Sequence, residues 1–394
     1  MTRFPEFQNE IYQAGVSGEV PQFPMTAEGM EAAAAAVMSP TAHAYVAGSA
    51  GLELTARANR AAFESWQIVP RHLRGVPERD LTVELLGRPL ASPLLLAPIG
   101  ALGIVREGAE LLLARVAAEL GVPLILSTVA STSLEEVAAE LARGRQGVGW
   151  FQLYWPADQE LALSLVGRAE RAGYSALVVT VDTWTLAWRP RDLANGFLPF
   201  LHGRGLANYL SDPVFRARLP RPPEDDLAGA ITLWSQVFSR PGLRWTDLRW
   251  LKDHTSLPIL VKGICHPDDA RAAAQAGVDG LIVSNHGGRQ VDGARPALDC
   301  LEDVAAAGVG LPILFDSGVR SGADVVKALA LGARAVLVGR PYVYGLALGG
   351  AAGVRHVLRC LLAELDLTLG LSGHSSVSEL TASSLVPTAA RRLT

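Results

Sequence analysis

Eight short apolar runs alternate along the chain with longer segments whose apolar residues recur every three or four positions. The runs read PLLLAPIG, VPLILST, GWFQLYW, ALVVTVD, PILVKGI, GLIVSN, PILFDSG and AVLVGR. Segments between them, such as REGAELLLARVAAEL and SGADVVKALALG, have the periodicity of amphipathic helices. Strands that alternate with helices indicate parallel βαβ units, and eight such units close a (β/α)8 TIM barrel.

The main alternative to a closed barrel is an open, doubly wound sheet, which has the same alternation of strands and helices. That fold commonly carries a G-x-G-x-x-G turn after its first strand, and no such turn follows the first run here. We therefore predict a TIM barrel over residues 91–371, after a mostly helical cap over residues 1–90 and before a C-terminal tail over residues 372–394. The helical spacing of four apolar residues predicts the closing helix of the barrel: Val354, Leu358, Leu361 and Leu365.

One connection between the predicted strands is much longer than the others. Asp182 and Lys262, at the ends of the fourth and fifth runs, are 80 residues apart, and the segment between them is rich in Pro, Gly and Arg. A loop of this length after a barrel strand is more often functional than idle. We predict that residues 184–243 form an inserted lid loop over the site, with a surface decoration or an oligomer contact as the alternative.

Composition and charge exclude several classes of protein. A formal net charge of -4 argues against a general role on nucleic acid or at a membrane surface. Three widely spaced cysteines form neither a disulfide framework nor a zinc motif, so no metal site is expected. The N-terminus lacks the apolar core of a signal peptide, and the longest apolar stretch is interrupted by Pro and Gly. These features predict a cytoplasmic protein.

Polar side chains cluster at the carboxyl ends of the predicted strands. Residues two apart on a strand point to the same side, and the carboxyl ends of barrel strands converge on one mouth, where active sites of this fold lie. Burying so many polar groups is costly unless a ligand satisfies them, although a single strand-end Thr or Asp often only caps a helix. The members are Gln152, Tyr154, Thr180, Asp182, Lys262, Ser284 and His286.

A phosphate site is predicted beside the last two strands, where FDSGVRSG and VGRP follow the seventh and eighth runs. Their glycines expose backbone N–H groups, Arg320 and Arg340 add positive charge, and this fold commonly binds phosphate there. Lys262, one of only three lysines in the chain, lies in a run that should be buried. FMN fits both features, because it has a phosphate tail and its reduced ring carries negative charge that a lysine can stabilise.

Taken together, the motifs SNHGGRQ, FQLY, VTVDT, LVKG, FDSGVRSG and VGRP resemble the FMN-dependent 2-hydroxy-acid oxidising enzymes, which include glycolate oxidase, lactate oxidase and mandelate dehydrogenase. The resemblance runs from about Tyr45 to Arg340. It implies that His286 is the active-site base, that Asp182 orients it and that Tyr154 contacts the substrate hydroxyl. It also implies that the substrate carboxylate is held by Tyr45, Arg189 and Arg289.

The resemblance also implies a set of FMN contacts. The flavin ring would be surrounded by backbone groups at the end of the first predicted strand and by side chains at the ends of the strands that follow it. The loops after the seventh and eighth strands would hold the ribityl chain and the phosphate. The ring contacts would be Pro98, Ile99, Gly100, Ser127, Gln152, Thr180, Lys262 and Ser284, and the tail contacts would be Asp316, Gly318, Arg320, Gly339 and Arg340. The implied chemistry suits these residue types, because arginine pairs with both carboxylate oxygens and histidine titrates near neutrality.

Finer features resemble lactate 2-monooxygenase, a branch that converts L-lactate and O2 to acetate, CO2 and water. They are FQNEIYQAG, TWTLAWRPRD, GFLPFL and NYLSDPVF, together with Gly100 where many family oxidases have alanine. Loss of that methyl group is expected to alter oxygen access or product retention. Two departures from the family pattern are the sequence GIVREGAE, which lacks a His-Pro, and Ser317, which replaces a glycine.

Other activities stay open at this point. The nearest is a 2-hydroxy-acid oxidase that releases the 2-oxo acid with hydrogen peroxide, and the next is a dehydrogenase that uses another acceptor. A non-redox FMN isomerase is a more distant alternative, because it would have no use for the paired arginines. Relatives of this kind are usually homotetramers or homo-octamers, which is the assembly we expect.

Overall fold

The computed structural model describes residues 4–392 and contains eight parallel strands that close into a barrel. The chain has four further strands outside the barrel. In chain order, the strands are β1 Trp66–Ile68, β2 Val83–Leu85, β3 Arg88–Leu90, β4 Leu94–Leu96, β5 Leu124–Ser127, β6 Gly149–Leu153, β7 Leu177–Thr180, β8 Ile259–Ile264, β9 Gly280–Val283, β10 Ile313–Phe315, β11 Ala335–Val338 and β12 Leu385–Pro387.

The barrel strands are β4 to β11, and each of the eight apolar runs contains one of them. Neighbours in sequence pair in parallel, and β11 pairs with β4 to close the circle, with Val336 opposite Leu94. Every residue of β5, β7, β9 and β11 is buried, as expected for strands covered on both faces. The TIM barrel prediction is confirmed, and the open-sheet alternative is wrong.

Helices follow the strands and form the outer layer. The α-helices are α1 Glu6–Val16, α2 Ala27–Val37, α3 Pro40–Ala47, α4 Leu54–Glu64, α5 Ala109–Leu120, α6 Leu134–Ala142, α7 Gln159–Arg171, α8 Pro190–Ala194, α9 Ala207–Leu210, α10 Pro213–Ala217, α11 Leu227–Val237, α12 Trp245–Lys252, α13 Pro267–Gln275, α14 Ala297–Ala306, α15 Gly322–Ala330, α16 Arg340–Leu371 and α17 Ala389–Arg392. Several begin with a polar cap, such as the capping box of Ser133 and Glu136 at α6.

The N-terminal segment is helical, as predicted, but it also contains strands that the sequence pattern did not reveal. Helices α1 to α4 precede β1, which pairs antiparallel with β12 of the C-terminal tail. A hairpin of β2 and β3 follows, and the backbone oxygen of Glu84 accepts a 3.2 Å hydrogen bond from Arg334, just before β11. The hairpin therefore lies beside the amino ends of the barrel strands, away from the predicted site.

The inserted segment 184–243 is not an extended loop, because it folds into α8 to α11 and a 3-10 turn at Pro199–His202. It has its own aromatic core, in which the rings of Phe200 and Trp234 lie 5.0 Å apart. Buried polar contacts join it to the barrel. Asn208 accepts from the backbone of Leu134 at 2.8 Å and donates to Thr128, while Asp212 forms a 3.0 Å ion pair with Arg168.

The closing helix α16 is the one helix among residues 4–392 that is long and apolar enough to cross a membrane, with a mean hydropathy of 1.3. It packs against α2, α5 and α15, and half of its most apolar 18-residue stretch is buried. Its backbone leaves the helical conformation at Gly349 and Gly350. The predicted apolar face is buried, with Val354, Leu358, Leu361 and Leu365 each at most 4% exposed.

Candidate active site

The carboxyl ends of the barrel strands open into a cavity. Helix α3, the inserted segment and the loops after β9, β10 and β11 complete its walls. Most of the predicted site residues line it, namely Tyr45, Pro98, Ile99, Gly100, Tyr154, Arg189, Lys262, His286, Arg289, Asp316, Gly318, Arg320, Gly339 and Arg340. The remaining predicted residues, which support the lining from the strands behind it, are Ser127, Gln152, Thr180, Asp182 and Ser284.

At one wall of the cavity, His286 and Asp182 form a hydrogen-bonded pair. The imidazole Nδ1 lies 2.8 Å from Asp182 Oδ1 and 3.1 Å from the Thr183 hydroxyl, which itself donates to Asp182 at 2.9 Å. Because a carboxylate only accepts hydrogen bonds, Nδ1 carries the proton and Nε2 is left as the basic nitrogen. The pair therefore presents an imidazole in the form that a general base requires.

The protonation states of this pair follow from burial and from neighbouring charges. Burial opposes ionisation of Asp182, but the charges of His286 and Lys262 outweigh it and lower the pKa of this carboxyl to about 2. Burial also lowers the pKa of His286, and Asp182 only partly offsets that effect. At neutral pH the pair is therefore a carboxylate beside a neutral imidazole.

Lys262 projects from β8 into the bottom of the cavity and is only 3% exposed. Its Nζ donates to the Ser284 hydroxyl at 2.7 Å and lies 3.1 Å from Asp316 Oδ2. Burial works against its charge, yet Asp316 and Asp182 raise the pKa of Lys262 above its ordinary value. The ammonium group is therefore a fixed positive charge in the cavity wall.

Buried polar atoms of Gln152 and Thr180, near the carboxyl ends of β6 and β7, have no partner in the described chain. Gln152 accepts from Ser127 at 3.0 Å through Oε1, but its Nε2 donates to no described group. The hydroxyl of Thr180, whose residue is paired in register with Lys262, is likewise unsatisfied. Buried polar groups are rarely left without partners, so a polar heterocycle bound here would satisfy both.

A second group of residues gathers positive charge at the mouth. Arg289 donates to the backbone oxygens of Tyr45 and Gly48 at 2.7 and 2.6 Å, and its guanidinium lies 5.2 Å from the Tyr45 ring. Arg189 donates to Arg289 O at 3.2 Å and to Gln290. Burial and the charge of Arg189 lower the pKa of Arg289 to about 9. Both arginines keep free N–H donors, so together they suit a carboxylate.

Tyr45 and Tyr154 bring two phenol groups to this part of the cavity. Burial raises the pKa of both hydroxyls above the ordinary value. Both therefore stay protonated at neutral pH and can donate a hydrogen bond to an oxygen of a ligand. The ring of Tyr154 packs against Phe238 of the inserted segment, with centroids 5.5 Å apart, which fixes the position of the phenol.

The loops after β10 and β11 form the other end of the cavity. Arg320 is held by a single hydrogen bond to Val319 O at 2.9 Å, and burial with the charge of Arg340 lowers its pKa to about 10. Arg340 instead donates to four protein acceptors, among them Gly287 O and Val46 O, both at 3.0 Å. Arg320 thus keeps more free donors for an anion, while Arg340 mainly connects the surrounding segments.

Ser317, which departs from the family pattern in the loop after β10, has a defined structural role. Ser317 has a φ of 86°, a conformation that favours glycine. Its hydroxyl donates to Asp316 at 2.8 Å and accepts from the backbone N–H groups of Gly287 at 3.0 Å and Asn285 at 3.3 Å. The serine therefore links the phosphate loop to the turn that carries His286.

Glycine at position 100, where many family oxidases have alanine, does not leave an empty space of the size of a methyl group. An ideal Cβ at residue 100 would lie 2.4 Å from Val129 Cγ2 and 2.9 Å from Val129 O. Val129 therefore already occupies part of the volume of the missing methyl group. The expected effect on oxygen access cannot rest on an empty space at Gly100 alone.

Several residues of the site were not singled out from the sequence. Thr183 contacts both His286 and Asp182. Phe200, Phe238 and Leu186 of the inserted segment line the cavity. Thr183 directly follows Asp182, so adjacency was an available signal. The aromatic walls had none, because their position depends on how the inserted segment folds.

The residues present fit FMN. At one end an unsatisfied amide and hydroxyl lie near the carboxyl ends of β6 and β7, and the neighbouring β8 carries a buried ammonium group. At the other end a half-buried guanidinium with free donors lies by the glycine loop. Among residues 4–392, no carboxylate forms an ion pair with Arg189, Arg289, Arg320 or Arg340. Arg189 is buried and the other three are half-buried, so these cations suit bound anions. Fold and site together define an FMN-binding barrel enzyme that acts on a small carboxylate.

Known proteins agree with this description. The family model of FMN-dependent dehydrogenases matches residues 34–387. An FMN-dependent alpha-hydroxy acid dehydrogenase of Penicillium citrinum is 46% identical over 95% of this chain and 94% of its own length. An L-lactate oxidase of Lysinibacillus sphaericus is 44% identical over 96% of both chains. The chain belongs to the FMN-dependent dehydrogenase family, as the sequence motifs predicted.

Solved structures show the same architecture. A mandelate oxidase superposes with a TM-score of 0.81 at 38% identity, covering 93% of this chain and 98% of the other. A structure described as a putative lactate oxidase of Pediococcus acidilactici gives a TM-score of 0.82 at 35% identity, covering 94% and 96%. The protein is thus an FMN-dependent 2-hydroxy-acid oxidoreductase, and its particular acid and its product are the remaining questions.

Proposed function

We propose that the protein oxidises L-lactate with O2 and converts it to acetate, CO2 and water, the reaction of lactate 2-monooxygenase. The observation that carries the substrate class is the pair of Arg189, which is buried, and Arg289, which is half-buried. Neither has a carboxylate within ion-pair distance, and both line the cavity with His286. A small 2-hydroxy acid has the carboxylate and the hydroxyl that these groups require. The roles of the other site residues belong to the same proposal.

The protein groups would act on the substrate in a simple order. Arg189, Arg289 and Tyr45 hold the carboxylate, and the Tyr154 phenol donates to the substrate hydroxyl. Asp182 keeps the proton on Nδ1 of His286, so that Nε2 accepts the proton which the hydroxy acid loses. When FMN is bound, it takes up the two electrons of the oxidation.

The same assignment gives the cofactor contacts. Lys262 would stabilise negative charge on the flavin ring, and Gln152 Nε2 and the Thr180 hydroxyl would find partners there. Arg320 and the backbone around Gly318 would hold the phosphate end, where positive charge and exposed N–H groups favour an anion. We also propose a cytoplasmic location and a homotetramer or homo-octamer, which rest on the sequence alone.

Enclosure of the cavity supports the decarboxylating outcome over simple release of the product. Leu186, Phe200 and Phe238 of the inserted segment line it, and the His286 side chain is only 18% exposed. A 2-oxo acid that stays beside the flavin can react with peroxide before it leaves. The sequence features FQNEIYQAG and NYLSDPVF, which resemble the monooxygenase branch, support the same outcome.

An oxidase that releases pyruvate and hydrogen peroxide is the second candidate. Relatives named L-lactate oxidase, at 44% and 43% identity, favour it. The position of Val129, which fills space beside Gly100, also removes one argument for the monooxygenase. A dehydrogenase with another acceptor would differ from both by a reduced flavin that reacts slowly with O2.

One experiment separates these candidates. The purified holoenzyme is given L-lactate under air, and acetate, pyruvate and hydrogen peroxide are quantified against the oxygen consumed. Acetate equal to the oxygen consumed supports the monooxygenase, whereas stoichiometric pyruvate and peroxide contradict it. Anaerobic L-lactate should bleach the flavin in either case, and an unchanged spectrum with every small 2-hydroxy acid would favour the non-redox isomerase.

A further inference from the structure

Helix α4 of the N-terminal segment lies against the two loops that carry the chemistry of the cavity. Its first turn is capped by Asp292, which accepts from the backbone of Leu52 at 2.7 Å and of Thr55 at 3.1 Å. A Cβ at Gly288 would lie 2.6 Å from the backbone nitrogen of Ala56, so the turn that carries the base touches the helix backbone. Neither contact involves a group that meets the substrate.

Asn59 in the middle of α4 joins this turn through a reciprocal pair of amide hydrogen bonds. Its Nδ2 donates to Asn285 Oδ1 at 2.8 Å, and Asn285 Nδ2 donates to Asn59 Oδ1 at 2.7 Å. Asn285 Oδ1 also accepts from Gly288 N at 3.1 Å, across the residue that carries the imidazole. Asn59 is 1% exposed, so these bonds are shielded from water and have no solvent substitute.

The turn needs such support because its central residue has an unfavourable backbone conformation. His286 has a φ of 57°, a left-handed conformation that residues other than glycine adopt uncommonly, although His, Asn and Asp adopt it more often than other residues. Backbone strain of this kind persists only where the surrounding contacts determine the conformation. The Asn59 pair on one side and the Ser317 hydroxyl on the other supply those contacts.

The next residue of the helix, Arg60, reaches the other loop. Its guanidinium donates to Gly318 O and forms a 2.7 Å ion pair with Asp324, whose side chain is only 5% exposed. The same carboxylate oxygen accepts from the backbone N–H of Arg320 at 2.9 Å and of Ser321 at 3.2 Å. Arg60 thereby fixes the loop in which we place the phosphate.

We propose that Asn59 and Arg60 are positioning residues with separate roles, in which Asn59 orients the turn of the base and Arg60 shapes the loop that binds the FMN phosphate. Two adjacent side chains of one helix would thus control chemistry and cofactor retention independently. The part that concerns turnover rests on the proposed function, whereas the part that concerns FMN rests on membership of the FMN-dependent family.

The first measurement is FMN affinity, which needs no turnover. Arg60→Gln should raise the dissociation constant of FMN from the apoprotein about tenfold or more, since hydrogen bonds to charged groups are lost. Asn59→Leu should change it by less than about threefold. Arg57→Gln is the control, because Arg57 is exposed on the same helix and donates only to Leu52 O. It should leave the affinity unchanged.

The second measurement concerns the base. With FMN saturating, Asn59→Leu should slow anaerobic flavin reduction by L-lactate by at least about tenfold, and it should slow reduction more than Arg60→Gln does. It should also change the pH dependence of carbethoxylation of the peptide that contains His286, followed by mass spectrometry. A variant that only loosens the fold would not alter the reactivity of this imidazole selectively.

Other results would overturn the proposal. Equal losses of FMN affinity and of reduction rate in both variants, or the opposite pattern, would mean that α4 acts only as a structural support. If Asn59→Leu does not fold, Asn285→Ala tests the same bonds from the other side. If wild-type flavin is not reduced by any 2-hydroxy acid, the proposed function fails, while FMN affinity and carbethoxylation still test these residues.

Discussion

The cavity holds two kinds of basic side chain that differ in their partners. Lys262 lies 3.1 Å from Asp316, and the imidazole of His286 lies 2.8 Å from Asp182. The guanidinium group of Arg289, in contrast, forms no ion pair with a carboxylate in the described chain, although burial lowers its pKa to about 9. Lys262 and His286 each have a carboxylate partner within the protein, whereas Arg289 has none within ion-pair distance.

This difference separates the reactive groups from the ligand-binding groups. A buried charge without a partner costs free energy, and a bound anion removes that cost. The arginines therefore mark where the substrate carboxylate and the phosphate would lie. Burial and the carboxylate partners together set the protonation states of His286 and Lys262. Variants of the two classes should consequently affect different measurements.

The largest effect is expected from the paired group that acts as the base. His286→Ala should leave FMN bound while the rate of flavin reduction by L-lactate falls by about 10²–10⁴-fold, because the proton acceptor is lost. Stopped-flow absorbance of the flavin measures this rate. Reduction at the wild-type rate would refute the assignment of His286 as the base.

The unpaired group should show its effect in substrate binding. Arg289→Met should weaken carboxylate binding by about 1.5–3 kcal/mol, which corresponds to roughly 10- to 150-fold. Arg289→Lys is the control, because it keeps the charge but loses the planar fork, and it should recover part of the loss. The KM for L-lactate and the inhibition constant of pyruvate report the change, and wild-type values for both would contradict it.

Lys262→Met tests the second side chain that has a carboxylate partner in the cavity. Its loss leaves Asp316 buried without a cation and removes positive charge near the flavin ring, so flavin reduction should slow about tenfold and FMN should be retained less well. Lys252→Met is the matched control, because Lys252 pairs with Asp279 on a helix outside the cavity. Similar flavin reduction in both variants would mean that Lys262 has only a structural role.

The smallest expected effect is a shift in pH dependence. His286 accepts a proton only when neutral, and burial lowers its pKa below the ordinary value. Activity should therefore persist as the pH falls to the ordinary histidine range and be lost below it. Asp182 raises this pKa, so Asp182→Asn should move the acid limb of kcat/KM to still lower pH. A shift of the acid limb to higher pH would contradict the conclusion that Asp182 raises the pKa of His286.

The sequence predicted the barrel and most of the cavity because both depend on short local patterns. Each apolar run became a strand, and strand ends converge in a closed barrel whatever the helices do. Lys262, Asp182 and His286 could thus be placed together from their positions at strand ends. The FMN requirement followed from the predicted phosphate site and Lys262 and then from the resemblance, and it is confirmed by the family match.

Contacts between distant segments could not be predicted in this way. The pairing of Asn59 with Asn285 joins residues more than two hundred positions apart, and neither side chain has a periodic signal. Three helices within 184–243, namely α8, α9 and α10, escaped notice because they have only four or five residues each. Gly100 was interpreted without Val129, whose packing only the folded chain reveals.

The way in which the inserted segment is attached has a consequence for how substrate preference can change. Phe200 and Phe238 belong to one contiguous segment with its own aromatic core, whereas the base and Lys262 come from the barrel. Asn208 and Asp212 anchor that segment to the barrel. We expect a graft that keeps these two anchors to exchange this wall as a unit and to change acid preference, while His286 and Lys262 stay in place on the barrel.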